Sequence, residues 1–336
     1  MKLIYAGSVK NLYQDPDPAY IWFEYTDDYS VFDWGKMPDA IPGKGEALAR
    51  LGEFFFRQIE NPARWEALGL AKQPGIAPYL PMRHHFLERQ GARLKMLRVD
   101  VPDVRPVAIG GMLVYDYSYP ATARQLLPLE VIFRFGVPKG SSLLGRKDWY
   151  PFPIHEGAEF AEPLIEFSTK RESKDRMLSY QEAALICKGQ AGLLAQVHGK
   201  TRAVALFLKA LFAGCGLKLW DGKLEWALLD GSVCLVDSIG PDELRVSQGD
   251  AVLSKQFLRD RYLGTPWEQA LVKAKEMAKA RATADWKTIV EHTLKQQPEH
   301  LPAPYVEAAQ ALYADFAQLI VDGRPTTRFA ELVAKL

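Results

Sequence analysis

Cysteine is scarce, with three in 336 residues: Cys187, Cys215 and Cys234. An odd number without metal-ligand spacing excludes a disulfide framework and a thiolate zinc site, and it fits buried thiols in a reducing compartment. Net charge is nearly absent too. The 42 basic and 41 acidic side chains leave a formal +1, so there is no bulk electrostatic reason to expect a nucleic acid or an anionic membrane as partner. Long hydrophobic runs are missing. The longest apolar stretch, residues 203–216, is interrupted by Lys209; it is too short to span a bilayer and suits a core helix. Residues 1–8 carry no apolar segment or cleavage site of a secretory signal, and a cytoplasmic location is the expectation.

Several chemical signatures are absent as well. No Walker A loop, no G-x-G-x-x-G fingerprint and no G-x-S-x-G elbow occurs, which removes P-loop, Rossmann-type and serine-hydrolase readings. His84-His85 has no third ligand at metal spacing and is expected to be a surface pair rather than a zinc site. Trp22, Phe23 and the run Phe54-Phe55-Phe56 read as core. There is no internal repeat or low-complexity tract.

What is present describes a globular chain. Hydrophobic residues make up 48% and charged residues 25%, and the length suffices for one large domain or two lobes. Strands are expected at residues 2–5, 11–13, 20–25, 107–115 and 129–135, with a helix over 46–59. Ser179-Tyr180-Gln181-Glu182 has the form of a capping box. The helix or helices it opens should run to Gly214-Cys215-Gly216, with a break near Gly189 and Gly192. A hairpin across Asp230-Gly231 follows, and from Lys255 the pattern is mostly helical. The class is therefore α+β: a sheet-rich N-terminal lobe over 1–125, a mixed lobe over 126–260, and a helical segment over 261–336 packed on the second lobe.

The hairpin carries the strongest chemical signal. Asp221, Lys223 and Glu225 interrupt an otherwise mostly apolar strand and point the same way, because strand side chains alternate faces. An odd-numbered loop at Gly231 would bring Asp237 to the face of Glu225, whereas a two-residue loop would put them on opposite faces. We expect the odd loop. Two carboxylates converging beside a lysine suit a hard cation on a polyphosphate, although a solvated polar sheet face has the same pattern. Three further segments could meet anions: Gly7-Ser8-Val9-Lys10, a glycine turn with a lysine; Ile41-Pro42-Gly43-Lys44-Gly45, ahead of a helix N-terminus; and Arg134 with Gly140-Ser141-Ser142.

Taken in order, these segments resemble the SAICAR synthetase family. Gly7, Lys10 and Tyr13 are similar to its opening motif, and Ser30-Val31-Phe32-Asp33 with Ile41-Pro42-Gly43-Lys44-Gly45 to its next signature. Glu130, Arg134 and Gly140-Ser141 resemble its strand and Gly-Ser loop. Asp221-x-Lys223-Leu224-Glu225, then Asp237, Asp242 and Arg245, resemble its ligand-bearing region, and Lys255-Gln256-Phe257-Leu258-Arg259-Asp260 a further run. The resemblance implies a two-lobed ATP-binding fold and an ATP- and magnesium-dependent ligase. Such an enzyme phosphorylates the carboxylate of an aminoimidazole ribotide and lets the amine of aspartate displace the phosphate. It implies ATP contacts from Lys10, Gly7, Lys44 and Glu130, and Mg2+ held by Glu225 and Asp237. Arg134, Ser141, Asp242 and Arg245 would hold the ribotide, with Asp221, Lys223 and Asp175 among the catalytic groups.

Departures from the family pattern leave alternatives open. Ser8 stands where a lysine is usual, Lys174-Asp175 replaces a His-Asp pair, and Ser238 replaces an acid. A relative joining a different acid and amine, or a non-catalytic nucleotide-binding relative, remains compatible with the chain, and its oligomeric state is left open.

Overall fold

The computed structural model describes residues 1–188, 191–249, 251–281, 283 and 285–336. Its N-terminal part is an antiparallel sheet of β1 (Lys2–Ala6), β2 (Lys10–Gln14), β3 (Tyr20–Tyr25), β4 (Phe86–Gln90) and β5 (Arg93–Leu97), in the order β1-β2-β3-β5-β4. Helix α1 (Lys44–Glu60) covers one face, burying Ala47, Leu48, Leu51 and Phe55, a spacing that keeps one helical stripe apolar. A short α2 (Pro62–Ala67) follows, capped by the side chain of Asn61. The single strand expected over 107–115 is instead a hairpin of β6 (Arg105–Ile109) and β7 (Met112–Asp116). Gly110 and Gly111, with φ of 57° and 78°, fold it back on itself.

The second sheet positions the chemistry. Its strands are β8 (Arg124–Leu126), β9 (Leu129–Gly136), β10 (Glu159–Thr169), β11 (Met177–Leu178), β12 (Lys218–Leu229), β13 (Ser232–Val236), β14 (Leu244–Gln248) and β15 (Ala251–Val252). They run β11-β10-β9-β12-β14-β15, with β8 and β13 paired to the far half of the long β12. The capping box forms, Ser179 and Glu182 each accepting the other's backbone N–H; it starts α3 (Tyr180–Ile186). Helix α4 (Ala191–Gly214) packs across β9, β10 and β12. The expected break precedes α4; Gly189 lies outside the described residues, and Gly192 falls within the helix.

The helical segment holds α5 (Gln256–Tyr262), α6 (Pro266–Ala280), α7 (Trp286–Thr288), α8 (Ala303–Asp322) and α9 (Arg328–Val333). Helix α8 lies against α1, and its Phe316 meets Phe212 of α4 at 5.9 Å between ring centroids. The helical segment therefore touches the N-terminal part through α1 as well as helix α4. One continuous apolar core contains Phe55, Phe133, Phe212, Leu224 and Phe316. Among the described residues, no helix is long and apolar enough to cross a membrane.

Candidate active site

The central strands of the second sheet set two faces. In the register, Asp221 of β12 lies opposite both Arg134 of β9 and Arg245 of β14, and Lys223 lies opposite Ile132. Alternation then puts Glu130, Arg134, Asp221, Lys223 and Glu225 on one face. Val131, Phe133 and Leu224 enter the core on the other. Gly222 sits where a Cβ would come within 2.6 Å of the Phe133 ring and 2.5 Å of Leu244. Only glycine lets these strands carry charge on one side and close packing on the other.

A cleft of about 230 Å³ opens on the polar face, lined by Glu130, Arg134, Asp175, Asp221, Lys223, Asp242 and Arg245, among others. Arg134 donates to Glu166 at 2.6 Å, to Asp221 at 3.0 Å and to Ser142 at 3.1 Å. Glu130 accepts from Lys170 at 2.6 Å and Lys223 at 2.8 Å. Lys170 also lies 2.9 Å from Glu225, and so joins the cleft to the carboxylates beyond it.

Asp237 arrives by an unexpected route. Leu229 pairs with Ser232, so the hairpin loop is the two residues Asp230 and Gly231, with φ of 49° and 79° as a tight hairpin turn requires. The odd loop is therefore wrong. In continued register Asp237 would face the core side with Leu224. Its left-handed backbone, φ 65°, breaks the alternation just after β13, and its carboxylate instead makes an ion pair with Lys10 of β2. An aspartate tolerates this conformation better than most residues.

The lysines beside this carboxylate pair set its electrostatics. Burial and the adjacent Asp237 push the Glu225 carboxyl up, against the pull of Lys170. Burial opposes charge on Asp237, but Lys10 and Lys170 outweigh it and hold this carboxyl well below the usual range. Lys10 is likewise disfavoured by burial, yet Asp237 keeps its pKa raised. Two ammonium groups therefore neutralise two converging carboxylates that repel one another. Among the described residues, no group of three His, Cys, Asp or Glu side chains is poised for a metal; any ion here would take its remaining oxygens from a ligand or water.

Other expected residues fare differently. Gly7 forms the back of a turn in which its N–H reaches the carbonyl of Lys10 at 3.1 Å, and any Cβ there would collide with that carbonyl. Lys44 does not reach the cleft. It is fully buried, 3.2 Å from Asp242 and 5.3 Å from the Tyr313 ring centre. The backbone amides ahead of α1 are also taken, because Asp27 accepts from Gly43 at 3.1 Å and Gly45 at 2.9 Å; the anion at this helix N-terminus is internal. Ser141 is buried and its hydroxyl accepts from the Leu143 amide, while the neighbouring Ser142 lines the cleft. Asp175 lines the rim, where burial and Glu130 push its carboxyl up; the residue is exposed, so water screens that shift.

His84 and His85 are not a surface pair. The side chain of His84 is enclosed 3.2 Å from Glu60, and His85 is buried with Nε2 3.3 Å from the Asp237 carbonyl. Burial pushes His85 down to about 4, so it stays neutral and buttresses the Asp237 turn. Sequence reasoning missed Lys170, Glu166 and Glu243. The first two belong to β10 and its end, a strand that Pro163 disguises. The alternation of Leu164, Glu166 and Ser168 against Ile165, Phe167 and Thr169 was the signal available.

Comparison with known proteins identifies the family. The SAICAR synthetase family model matches residues 3–274. An Archaeoglobus fulgidus relative is 33% identical over 282 residues, covering 78% of this chain and 80% of its own length. The Thermoplasma acidophilum phosphoribosylaminoimidazole-succinocarboxamide synthase is 29% identical over 297 residues, 82% of this chain and 88% of that protein. A solved SAICAR synthetase in complex with ADP superposes with a TM-score of 0.56 at 25% identity, over 88% of this chain and 99% of its own. The chain belongs to the SAICAR synthetase family, the ATP-dependent ligases of purine biosynthesis that join an aminoimidazole ribotide carboxylate to aspartate.

Proposed function

We propose that the cleft and the Glu225–Asp237 pair divide this ligase reaction between them. The observation carrying the reading is the convergence of the buried Glu225 and half-buried Asp237 carboxylates, capped by Lys10 and Lys170, beside a cleft lined with arginines. The donors suit magnesium, which is commonly held by one or two protein carboxylates together with substrate phosphates. Bound there, it would neutralise polyphosphate charge. Glu225 and Asp237 would hold it, and Lys10 and Lys170, released from these acids, would turn to the phosphates.

In the cleft, Arg134 and Arg245 would grip the ribotide phosphate. Arg134 is held rigid by Glu166 and Asp221, and Arg245 carries a buried Nη1 that has no hydrogen-bond partner among the described residues. Asp242 would serve the ribose. Lys223, kept charged by Glu130 despite burial, would lie over the carboxylate that accepts the phosphoryl group. Asp221 and Asp175 would orient the reacting end. ATP phosphorylates the carboxylate, releasing ADP; the aspartate amine attacks the acyl phosphate, phosphate leaves, and the amine's proton passes to water or a rim carboxylate. Positioning and charge neutralisation account for the rate, and no covalent nucleophile is required. The same reading makes the protein a cytoplasmic enzyme. It is tested by ADP release from ATP, magnesium, the carboxylate ribotide and a panel of amino acids: dependence on ribotide and aspartate together supports it, and release only with another acid and amine contradicts it.

A further inference from the structure

The SAICAR synthetase family model ends at residue 274, so α7, α8 and α9 lie beyond it. One side chain of this later stretch nevertheless touches the cleft wall. Helix α8 buries Ala309, Leu312, Tyr313, Phe316, Ala317 and Ile320, a spacing that makes one helical stripe. Tyr313 alone among these six carries a hydroxyl, and it donates to Asp242 Oδ1 at 2.6 Å. Asp242 lines the cleft. On its other oxygen, Lys44 Nζ at the start of α1 lies 3.2 Å from Oδ2 but outside hydrogen-bonding geometry, so Oδ2 has no hydrogen-bond donor among the described residues. A buried carboxylate oxygen left without a donor is costly unless a ligand supplies one.

We propose that Tyr313 is a positioning residue: by holding Oδ1 of Asp242 it keeps Oδ2 free to accept a ribose hydroxyl of the ribotide. The inference rests on the assignment of Asp242 to the ribose above. Tyr313 is only 1% exposed, so it acts through Asp242 and not on a ligand. Both partners keep the states the bond needs. Burial, then Asp242, push the phenol far above its ordinary range, so it stays a donor. Burial opposes charge on Asp242, but Lys44 and Lys255, with the Tyr313 bond, hold its carboxyl well below the usual range. Without the phenol, the buried Lys44 ammonium would draw both carboxylate oxygens to itself, because charge-assisted bonds are strong where water is excluded. The acceptor would then be lost to the ligand.

The test is calorimetric binding, to the ADP-saturated protein, of the carboxylate ribotide and of its 2′-deoxy and 3′-deoxy analogues. Denaturant midpoints and KM values for ATP and aspartate are measured alongside. Tyr313→Phe keeps the ring and removes only the donor. It should weaken the ribotide about 10-fold or more, as loss of a charge-assisted bond does, and leave both KM values unchanged. The wild type should bind one of the two analogues more weakly than the ribotide by a similar factor, whereas Tyr313→Phe should bind that analogue and the ribotide alike. Asp242→Asn should lose the same discrimination, and adding Tyr313→Phe to it should change nothing further. Unchanged ribotide affinity in Tyr313→Phe, a lowered midpoint with the discrimination intact, or a loss shared equally by the ribotide and both analogues, would reduce Tyr313 to packing and overturn the inference. Equal ribotide binding by the wild type and Asp242→Asn would instead overturn the ribose assignment beneath it, and the positioning role with it.

Discussion

Lys10 and Lys44 both follow a glycine turn in the N-terminal part, yet their ammonium groups end in different places. Lys10 stands on a strand with its side chain partly open and pairs with Asp237 at the site. Lys44 opens a helix and is sealed between Asp242 and Tyr313. The difference lies in which anion the chain itself supplies. Beneath Lys44, Asp27 fills the helix N-terminus and Asp242 neutralises the ammonium, so the turn is a joint between α1 and the loop before β14. Around Lys10, the neutralising acid is one of a repelling pair, Asp237 beside Glu225, and in the proposed reading magnesium takes the lysine's place on it. On that reading, a glycine–lysine turn serves a ligand only where its internal anion can be exchanged.

The largest expected effect breaks the comparison on the Lys44 side. Lys44→Met leaves the Asp242 carboxylate buried without its ion pair and should cost about 3–5 kcal/mol of stability, read as a lowered denaturant midpoint, while the ATP KM of the folded fraction stays unchanged. A stable variant with a raised ATP KM would return Lys44 to the nucleotide site. Next, Glu225→Gln and Asp237→Asn should each cut turnover by about 10²–10³-fold, with little change in midpoint for these near-isosteric replacements. Lys10→Met should be milder: about a 10-fold rise in ATP KM or more, for one lost charge-assisted contact.

The smallest effect concerns Glu243, which lines the cleft beside Asp242. Burial, then Asp242 and Asp237, push its carboxyl up to about 7, whereas an unfolded glutamate titrates at about 4.3. The folded chain holds this proton more tightly, so the group's contribution is full below about pH 4, declines across that interval and is lost above about pH 7. Glu243→Gln should therefore raise Tm by a few degrees, about 2–4 °C per kcal/mol, near pH 8 and do little near pH 4. An equal gain at both would show that the proton is not the cause.

Much of this was legible in the chain, for physical reasons that can be named. β3 reads as a strand through its aromatic and β-branched run, and α3 through its capping box. Asp221, Lys223 and Glu225 read as one polar face because strand period alone decides it. What escaped depends on backbone detail that periodicity does not encode. The left-handed residue at Asp237 undoes a parity argument that was otherwise sound: the turn is even, and the carboxylates still converge. Pro163 hides β10, and with it Lys170 and Glu166. The fold-back at Gly110 and Gly111 turns one apparent strand into two. His84 and His85 read as surface because their burial comes from distant segments, Phe56 of α1 and the Asp237 turn.

The central claim is that Glu225 and Asp237, with Lys10 in reserve, form the place where a nucleotide and its cation are held. Its most direct test is calorimetric titration of ADP into the wild-type protein and into Asp237→Asn, with and without magnesium. Magnesium should tighten ADP about 10-fold or more for the wild type and barely at all for the variant, which has lost one of the two donors. The same magnesium enhancement in both proteins would contradict the account and put the nucleotide's cation elsewhere.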